Sequence, residues 1–452
     1  MKARVDIEAV LGTISTRDPI CNAYTYVTEQ RAREEAATAV EAWHAGKGRG
    51  PLHGMPYAVK NLYDVAGLVT LAGAKINADN PPAREDAVLV RRLRAAGAVL
   101  TGTLNMDEYA YGFTTENRHF GATRNPHDLK CSAGGSSGGS GAAVAAGLVP
   151  FALASDTNGS IRVPASLCGV YGLKPTYGRL PRAGTYPFVA SLDHLGPLAD
   201  SVATLAAVYD VLQGPCAADP ACAQRPLEPA SPSLDHDISA LRLAVAGGYF
   251  RPQADSQADS QADRAVDRIA KALGIERTVD LPEVARARAA AYVITAAEGA
   301  QLHLDRLRAR AADFDPLTRP RFLAGSQVPA SWYVRAQRFR RWFYERVMEI
   351  FRETDVFIAP ATPIAARPLG TESFLWNGES LRLRPNLGMY TQPLSLIGLP
   401  VVVVPVDTGE GLPIGVQIVA PPWREDRCLR VARYLEKAGA CRAWIAHGQG
   451  HA

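Results

Sequence analysis

The amino-acid sequence predicts an α/β fold, built either as one large domain or as two intimately packed ones. Two observations carry this. Short strand-like apolar runs alternate with amphipathic helical patterns along most of the chain, which is the order of an α/β core. The chain has 452 residues, 47% of them hydrophobic and 21% charged, close to ordinary globular values, so a sizeable core can be buried.

Taken in order, residues 22–45 carry one amphipathic helical pattern that ends at the glycine-rich turn GKGRGP. That turn leads into a short strand, Tyr57 to Lys60, so Lys60 stands at a strand end. A helix over Asp86 to Ala96, a buried strand AVLTG and a polar segment from Asn105 to Lys130 follow. Residues 134–141, GGSSGGSG, have the composition of a linker, yet they run straight into helix-forming AAVAAGLV and strand-like VPFALAS. The next run, DTNGSIRVPASLCGVYGLKPTYGRL, is dense in turn residues between apolar ones, as a site built on tight turns would be.

Residues 216–240 are rich in Pro, Ala and Asp and read as a surface excursion or boundary, after which LRLAVAGG has the pattern of a buried strand. The tandem QADSQADSQAD, Gln253 to Asp263, reads as a solvated low-complexity insert that opens a helix over Arg264 to Leu273. Long helical patterns continue to about residue 352. Then come strand-like DVFIAP, LPVVVVPV and IGVQIVAP, a last helix near Arg427 to Lys437, and a tail HGQGHA expected to fray.

The formal charge of +4 is spread along the chain, which gives little reason to expect nucleic acid or membrane as a partner. The densest basic cluster, Arg338 to Arg341, sits in a helical pattern and reads as a solvated face. Seven scattered cysteines form no CxxC pair and have no histidine at ligand spacing, so no metal site is expected and the thiols read as reduced. No window approaches the roughly 18 apolar residues of a membrane span. The expected compartment is the cytoplasm.

Ser136 and Ser137 both satisfy G-x-S-x-G, but the nucleophile elbow of that motif needs an apolar strand just before the serine, and DLKCSA stands there instead. A Walker-type phosphate loop needs GK[ST], which is missing. A dinucleotide fingerprint fails as well, because no strand leads into the glycines. Serine chemistry without an obvious histidine remains.

Three segments together resemble the amidase signature family: GMPYAVKN around Lys60, GGSSGGSGAAVAAG around Ser136, and SDTNGSIRVPASLCGVYGLKPTYGRL around Ser160. The likeness continues through NMDEYAYGFTTENRHFGATRNPHD and LPVVVVPV to GLPIGVQIVAPPW, nearly the whole chain. It implies one amidase domain over residues 1–452, with a large mixed central sheet covered by helices on both faces. It also implies Ser160 as nucleophile, Ser136 as a bridging serine on a cis peptide, and Lys60 as base.

That chemistry is sound from first principles. A serine hydroxyl is a poor nucleophile until its proton is taken, and lysine can take it only when neutral, so burial must lower a pKa that is ordinarily about 10.4. The turn Thr157, Asn158, Gly159, Ser160 would aim backbone N–H groups at the substrate carbonyl as an oxyanion hole, braced by Asp156 and Arg162. Ser137 would orient its neighbour. The family more often has glycine where Asn158 stands, so this position is expected to adopt a left-handed backbone, which asparagine tolerates, and its amide to reach the substrate.

Within the family, SDTNGSIRVPASLCGVYGLKPT, MDEYAYGFTTEN, PFVASLDHLGPLADS and WYVRAQRFRR are most similar to the branch that hydrolyses carboxylated urea derivatives in bacterial cyanuric-acid breakdown. That implies an arginine for the substrate carboxylate, assigned to Arg321, with Tyr292 as a second pocket residue. Glutamine-using members hold the α-ammonium with an acid, and the matching segment NLGMYTQP has none. The resemblance implies no metal and no organic cofactor. It also implies a small helical companion subunit, in a homodimer or heterotetramer. The competing readings are an ammonia-supplying, glutamine-hydrolysing subunit of a transferase complex and a catalytically silent scaffold.

Overall fold

The computed structural model describes residues 6–251 and 260–446. Eleven strands form one mixed sheet: β1 (Tyr24–Val27), β2 (Pro56–Lys60), β3 (Val99–Leu104), β4 (Phe151–Asp156), β5 (Tyr171–Lys174), β6 (His194–Ala199), β7 (Leu243–Ala246), β8 (Thr278–Val279), β9 (Val356–Pro360), β10 (Val401–Val406) and β11 (Ile414–Val419). Their spatial order is β1-β3-β2-β4-β6-β5-β10-β11-β9-β7-β8. The pairs β3–β2, β2–β4, β9–β7 and β7–β8 are parallel and the remaining neighbours antiparallel.

Alternate residues of these strands feed two separate apolar clusters. Tyr57 and Val59 of β2, and Phe151 and Leu153 of β4, enter one of them. Ala58, Ala152 and Ala154 enter the other. Side chains two apart share a face of a strand, so both faces of the sheet are covered. Every residue of β3, β4, β6, β10 and β11 is buried, so none of these strands shows the in–out alternation of a half-exposed sheet.

Thirteen α-helices occur among the described residues: α1 (Ile7–Cys21), α2 (Glu29–His44), α3 (Val88–Ala95), α4 (Gly138–Ala145), α5 (Arg162–Cys168), α6 (Val202–Leu212), α7 (Gln261–Leu273), α8 (Val284–Arg310), α9 (Arg319–Gly325), α10 (Ala330–Ile350), α11 (Leu383–Asn386), α12 (Gln392–Leu396) and α13 (Glu425–Lys437). None of the described helices is long and apolar enough to cross a membrane.

The single helix expected over 22–45 is two elements. Tyr-Thr-Tyr-Val forms the marginal strand β1, because these β-branched and aromatic residues favour an extended backbone and β3 offers them a ladder. Asp18 receives the N–H groups of Ala23 and Tyr24 at 2.9 and 3.0 Å and turns the chain into that strand. The glycines of GGSSGGSG belong to the core. A Cβ on Gly139 would lie 2.6 Å from backbone atoms of Ala23 and Asn105, so α4 can start there only without a side chain.

Between α6 and β7 the chain is irregular apart from one 3₁₀ turn, Ser231–Ser233. Ser260 caps α7 by accepting the Asp263 N–H, so the helix opens three residues before the expected Arg264. Residues 252–259, most of the QAD tandem, and the HGQGHA tail lie outside the described residues. The basic cluster of α10 is only partly a solvated face. Arg338 is exposed and Arg341 pairs with Glu345 at 3.0 Å, but Arg340 turns inward to donate to Ser191 O at 2.9 Å.

Candidate active site

Lys60 ends β2 and is fully buried. Its Nζ lies 2.7 Å from Ser136 Oγ, 2.9 Å from Ser137 Oγ and 2.9 Å from Ser155 Oγ. No carboxylate pairs with it among the described residues. Burial pushes its pKa down to about 7, against the opposing pull of the more distant Asp107, Asp156 and Asp193. Holding the amine that far from its solution preference costs about 5 kcal/mol. A neutral amine has two N–H groups and one lone pair, so one of the three hydroxyls donates to it and two accept.

The peptide bond before Ser136 is cis. Ser137 Oγ also donates to Ser155 O at 3.1 Å, which joins the serine loop to β4. Ser155 thus stands in the same cradle; it opens the SDTNGSIR segment, yet nothing in that segment assigns it a role. Its only signal is its place next to Asp156 at a strand end, and it takes the β2–β4 pairing to bring it to Lys60.

Beyond β4 the chain turns sharply at Thr157–Ser160 before entering α5. Gly159 takes φ +142°, and a Cβ there would come within 2.2 Å of Thr391 Oγ1. The left-handed backbone expected of Asn158 is not observed: the positive φ falls on Gly159, whose missing Cβ makes it cheap. Thr391 Oγ1 donates to Asn158 O at 2.6 Å, and Thr157 Oγ1 donates to Asp193 at 2.6 Å. The backbone N–H groups of Asn158, Gly159 and Ser160 donate to no other group among the described residues.

Asp156 and Arg162, both fully buried, clamp this turn. Asp156 accepts the Ile161 N–H at 3.1 Å and two guanidinium N–H groups at 3.0 Å each. Burial alone would raise its pKa, but the Arg162 charge overrides this and holds the carboxyl well below its usual range. The other Arg162 donors reach Thr391 O, Gln417 Oε1 and Ser395 Oγ, so all five are spent inside the protein and none faces a ligand.

Ser160, 2% exposed, lines a narrow cavity together with Tyr111, Phe113, Asn158, Tyr292, Thr295, Arg321 and Gln392. Its hydroxyl makes no hydrogen bond to another described residue. Arg321 lies with its guanidinium 4.0 Å from the Tyr111 ring centroid and donates to Tyr111 O at 2.9 Å, without a carboxylate partner among the described residues. Tyr292 donates to Pro385 O and sits under Arg288, so it is wall rather than core. Gln392 is fixed by Arg288 Nε at 2.9 Å. No acid and no histidine lines this cavity among the described residues. A second cavity of about 180 Å³ abuts it, sharing Ala110, Thr157 and Phe188, and reaches Ser155 and Asp193.

The family model described as amidase matches residues 6–429. The chain belongs to the amidase signature family. It is an amide hydrolase by that membership, and its likeness to individual members extends end to end. It is 56% identical to the AtzE subunit of 1-carboxybiuret hydrolase from Pseudomonas sp. (strain ADP), over 97% of this chain and 96% of that one. A solved structure described as a vestigial protein complex that reveals the evolutionary origins of an s-triazine catabolic enzyme superposes with TM-score 0.96 at 55% identity, covering 98% of this chain and 96% of the other. More distant members include a glutamyl-tRNA(Gln) amidotransferase subunit of Roseiflexus sp. (strain RS-1), 36% identical over 94% of this chain and 90% of that protein.

Proposed function

We propose that this amidase hydrolyses the terminal C–N bond of a small anionic urea derivative, 1-carboxybiuret, and releases ammonia. The supporting observation is the Lys60 amine, buried without an acid among three hydroxyls and beside the turn that carries Ser160. Ser160 attacks the amide carbonyl while its proton passes through Ser136 to Lys60, and substrate binding closes the gap between the two serine hydroxyls. The free N–H groups of Asn158, Gly159 and Ser160 meet the developing oxyanion, each worth about 3 kcal/mol. Lys60 then protonates the departing ammonia, and water hydrolyses the acyl-enzyme along the same relay.

Arg321 receives the substrate carboxylate, since it is the cavity cation with no acid of its own. The absence of any acid among the cavity residues speaks against glutamine, whose α-ammonium would go unpaired. A small helical companion subunit fits this reading, in line with the complex described for the similar structure. The free, mostly buried cysteines fit a reducing compartment, the cytoplasm.

Ammonia release from a panel of 1-carboxybiuret, biuret, glutamine and simple amides tests the reading. Carboxybiuret should lead by kcat/KM, and Ser160→Ala should abolish the release. Arg321→Lys should raise KM for the anion by at least about tenfold, the value of a lost charged hydrogen bond, with little effect on neutral biuret. Preferred turnover of glutamine would reverse the assignment, and unchanged activity in Ser160→Ala would reduce the chain to a scaffold.

A further inference from the structure

Asn158 stands two residues before Ser160 and shares its cavity. Its Nδ2 donates to Thr295 Oγ1 at 2.8 Å, which fixes the plane of the amide. The other end, Oδ1, is sealed from solvent and has no hydrogen-bond partner. It is the only such side-chain atom among the described residues that line this cavity.

Buried acceptors are nearly always paired, so an orphan beside a reacting serine points to a donor on the ligand. None of the donors on the residues lining the cavity reaches Oδ1: Tyr292 donates to Pro385 O, and Arg321 gives one N–H to Tyr111 O and keeps the others for the anion proposed above. Gln392, for its part, is held through its Oε1 by Arg288.

We propose that Asn158 Oδ1 accepts a hydrogen bond from the N–H that flanks the scissile carbonyl, and so selects ureido substrates over carboxamides. The inference rests on the amide-hydrolase reading above, with Ser160 as nucleophile. A scissile carbonyl carries its oxygen, which goes to the turn N–H groups, its leaving NH₂, and a third substituent. In a urea that substituent is an N–H; in a carboxamide it is a CH₂, which leaves Oδ1 desolvated and unpaired. A site that matches a substrate N–H rejects the isostere lacking it more strongly than an apolar site could.

Two compounds differing only in that atom provide the test: 3-ureidopropionate, and glutaramate, the monoamide of glutaric acid. Each has the carboxylate-to-carbonyl length of 1-carboxybiuret. Their kcat/KM values are measured with the full chain and with Asn158→Gly. Ureas are intrinsically less reactive, but that factor is common to both proteins and cancels in the ratio of ratios.

Asn158→Gly should lower the ureido-to-carboxamide ratio by about tenfold or more, mainly through the ureido compound. Thr295→Val, which frees the amide plane and leaves the turn intact, should lower it part of the way and serves if Asn158→Gly does not fold. An equal loss for both compounds, or no change, overturns the proposal. If the full chain cleaves neither compound nor any amide of the panel, the catalytic reading fails. The affinities of the pair for the Ser160→Ala protein, with and without Asn158→Gly, then still decide whether Oδ1 recognises the N–H.

Discussion

At the scale of the residue, the proposed chemistry turns on the balance between burial and hydrogen bonding at Lys60. With its pKa pushed down to about 7, the amine accepts a proton only above that value. The kcat/KM profile should therefore rise with pH through an inflection near 7, as protonated amine gives way to free base. Ser155 is expected to oppose part of that shift. Its hydroxyl accepts an N–H of the ammonium, and charged hydrogen bonds are the stronger ones, so Ser155→Ala should move the inflection about one pH unit to the acid side. Ser155→Thr keeps the hydroxyl and should leave the inflection in place, whereas a merely structural role for Ser155 would not shift it at all. Lys60, Ser136 and Ser160 stand out in the sequence because motifs mark them. Ser155, Asp193 and Thr391 do not, since each acts through a contact set by sheet register or by a turn more than 200 residues away. Thr295 offers a faint sign, a polar β-branched residue inside a long helix, but its 2% exposure appears only when α8 is packed.

At the scale of the element, the unit that matters is the turn between β4 and α5. Its shape depends on one buried ion pair and one missing Cβ. Arg162 ties Asp156 to the backbone at Thr391 and to Gln417 on β11, so the turn is held from three directions. Replacing Arg162 with Met would leave a carboxylate buried without its partner, at about 3 to 5 kcal/mol. The midpoint of denaturant unfolding should fall accordingly, and a loss below about 1 kcal/mol would show that the pair is not holding the turn. Gly159→Ala should be at least as severe for activity, since the added methyl meets Thr391 Oγ1 and displaces the N–H donors; a drop in kcat of about 100-fold or more is expected. Element positions are largely legible in the sequence, because apolar runs bounded by glycine and proline mark buried strands well. The helix expected over 22–45 shows the limit: four residues at its start answer to a partner strand some 75 positions ahead, and no local period reports that.

At the scale of the whole molecule, both halves of the chain contribute to one continuous sheet, the strands before residue 200 on one side and those after residue 240 on the other, joined where β5 pairs with β10. We expect residues 1–452 to behave as one domain. Calorimetry should give a single transition whose calorimetric and van't Hoff enthalpies agree, and two separable transitions would place a boundary in the irregular stretch between α6 and β7. The mixed strand order lies beyond a reading of alternation, which shows that strands and helices take turns but not which strands lie side by side.

The margins of that sheet have a consequence for association. One edge is the four-residue β1 and the other the two-residue β8. Strands this short present few unpaired backbone groups, so neither margin offers a usable template for adding a strand from another chain. Another chain that packs against this sheet must therefore do so through side-chain surfaces rather than by extending it, and solubility at high concentration should depend on surface charge more than on these two margins.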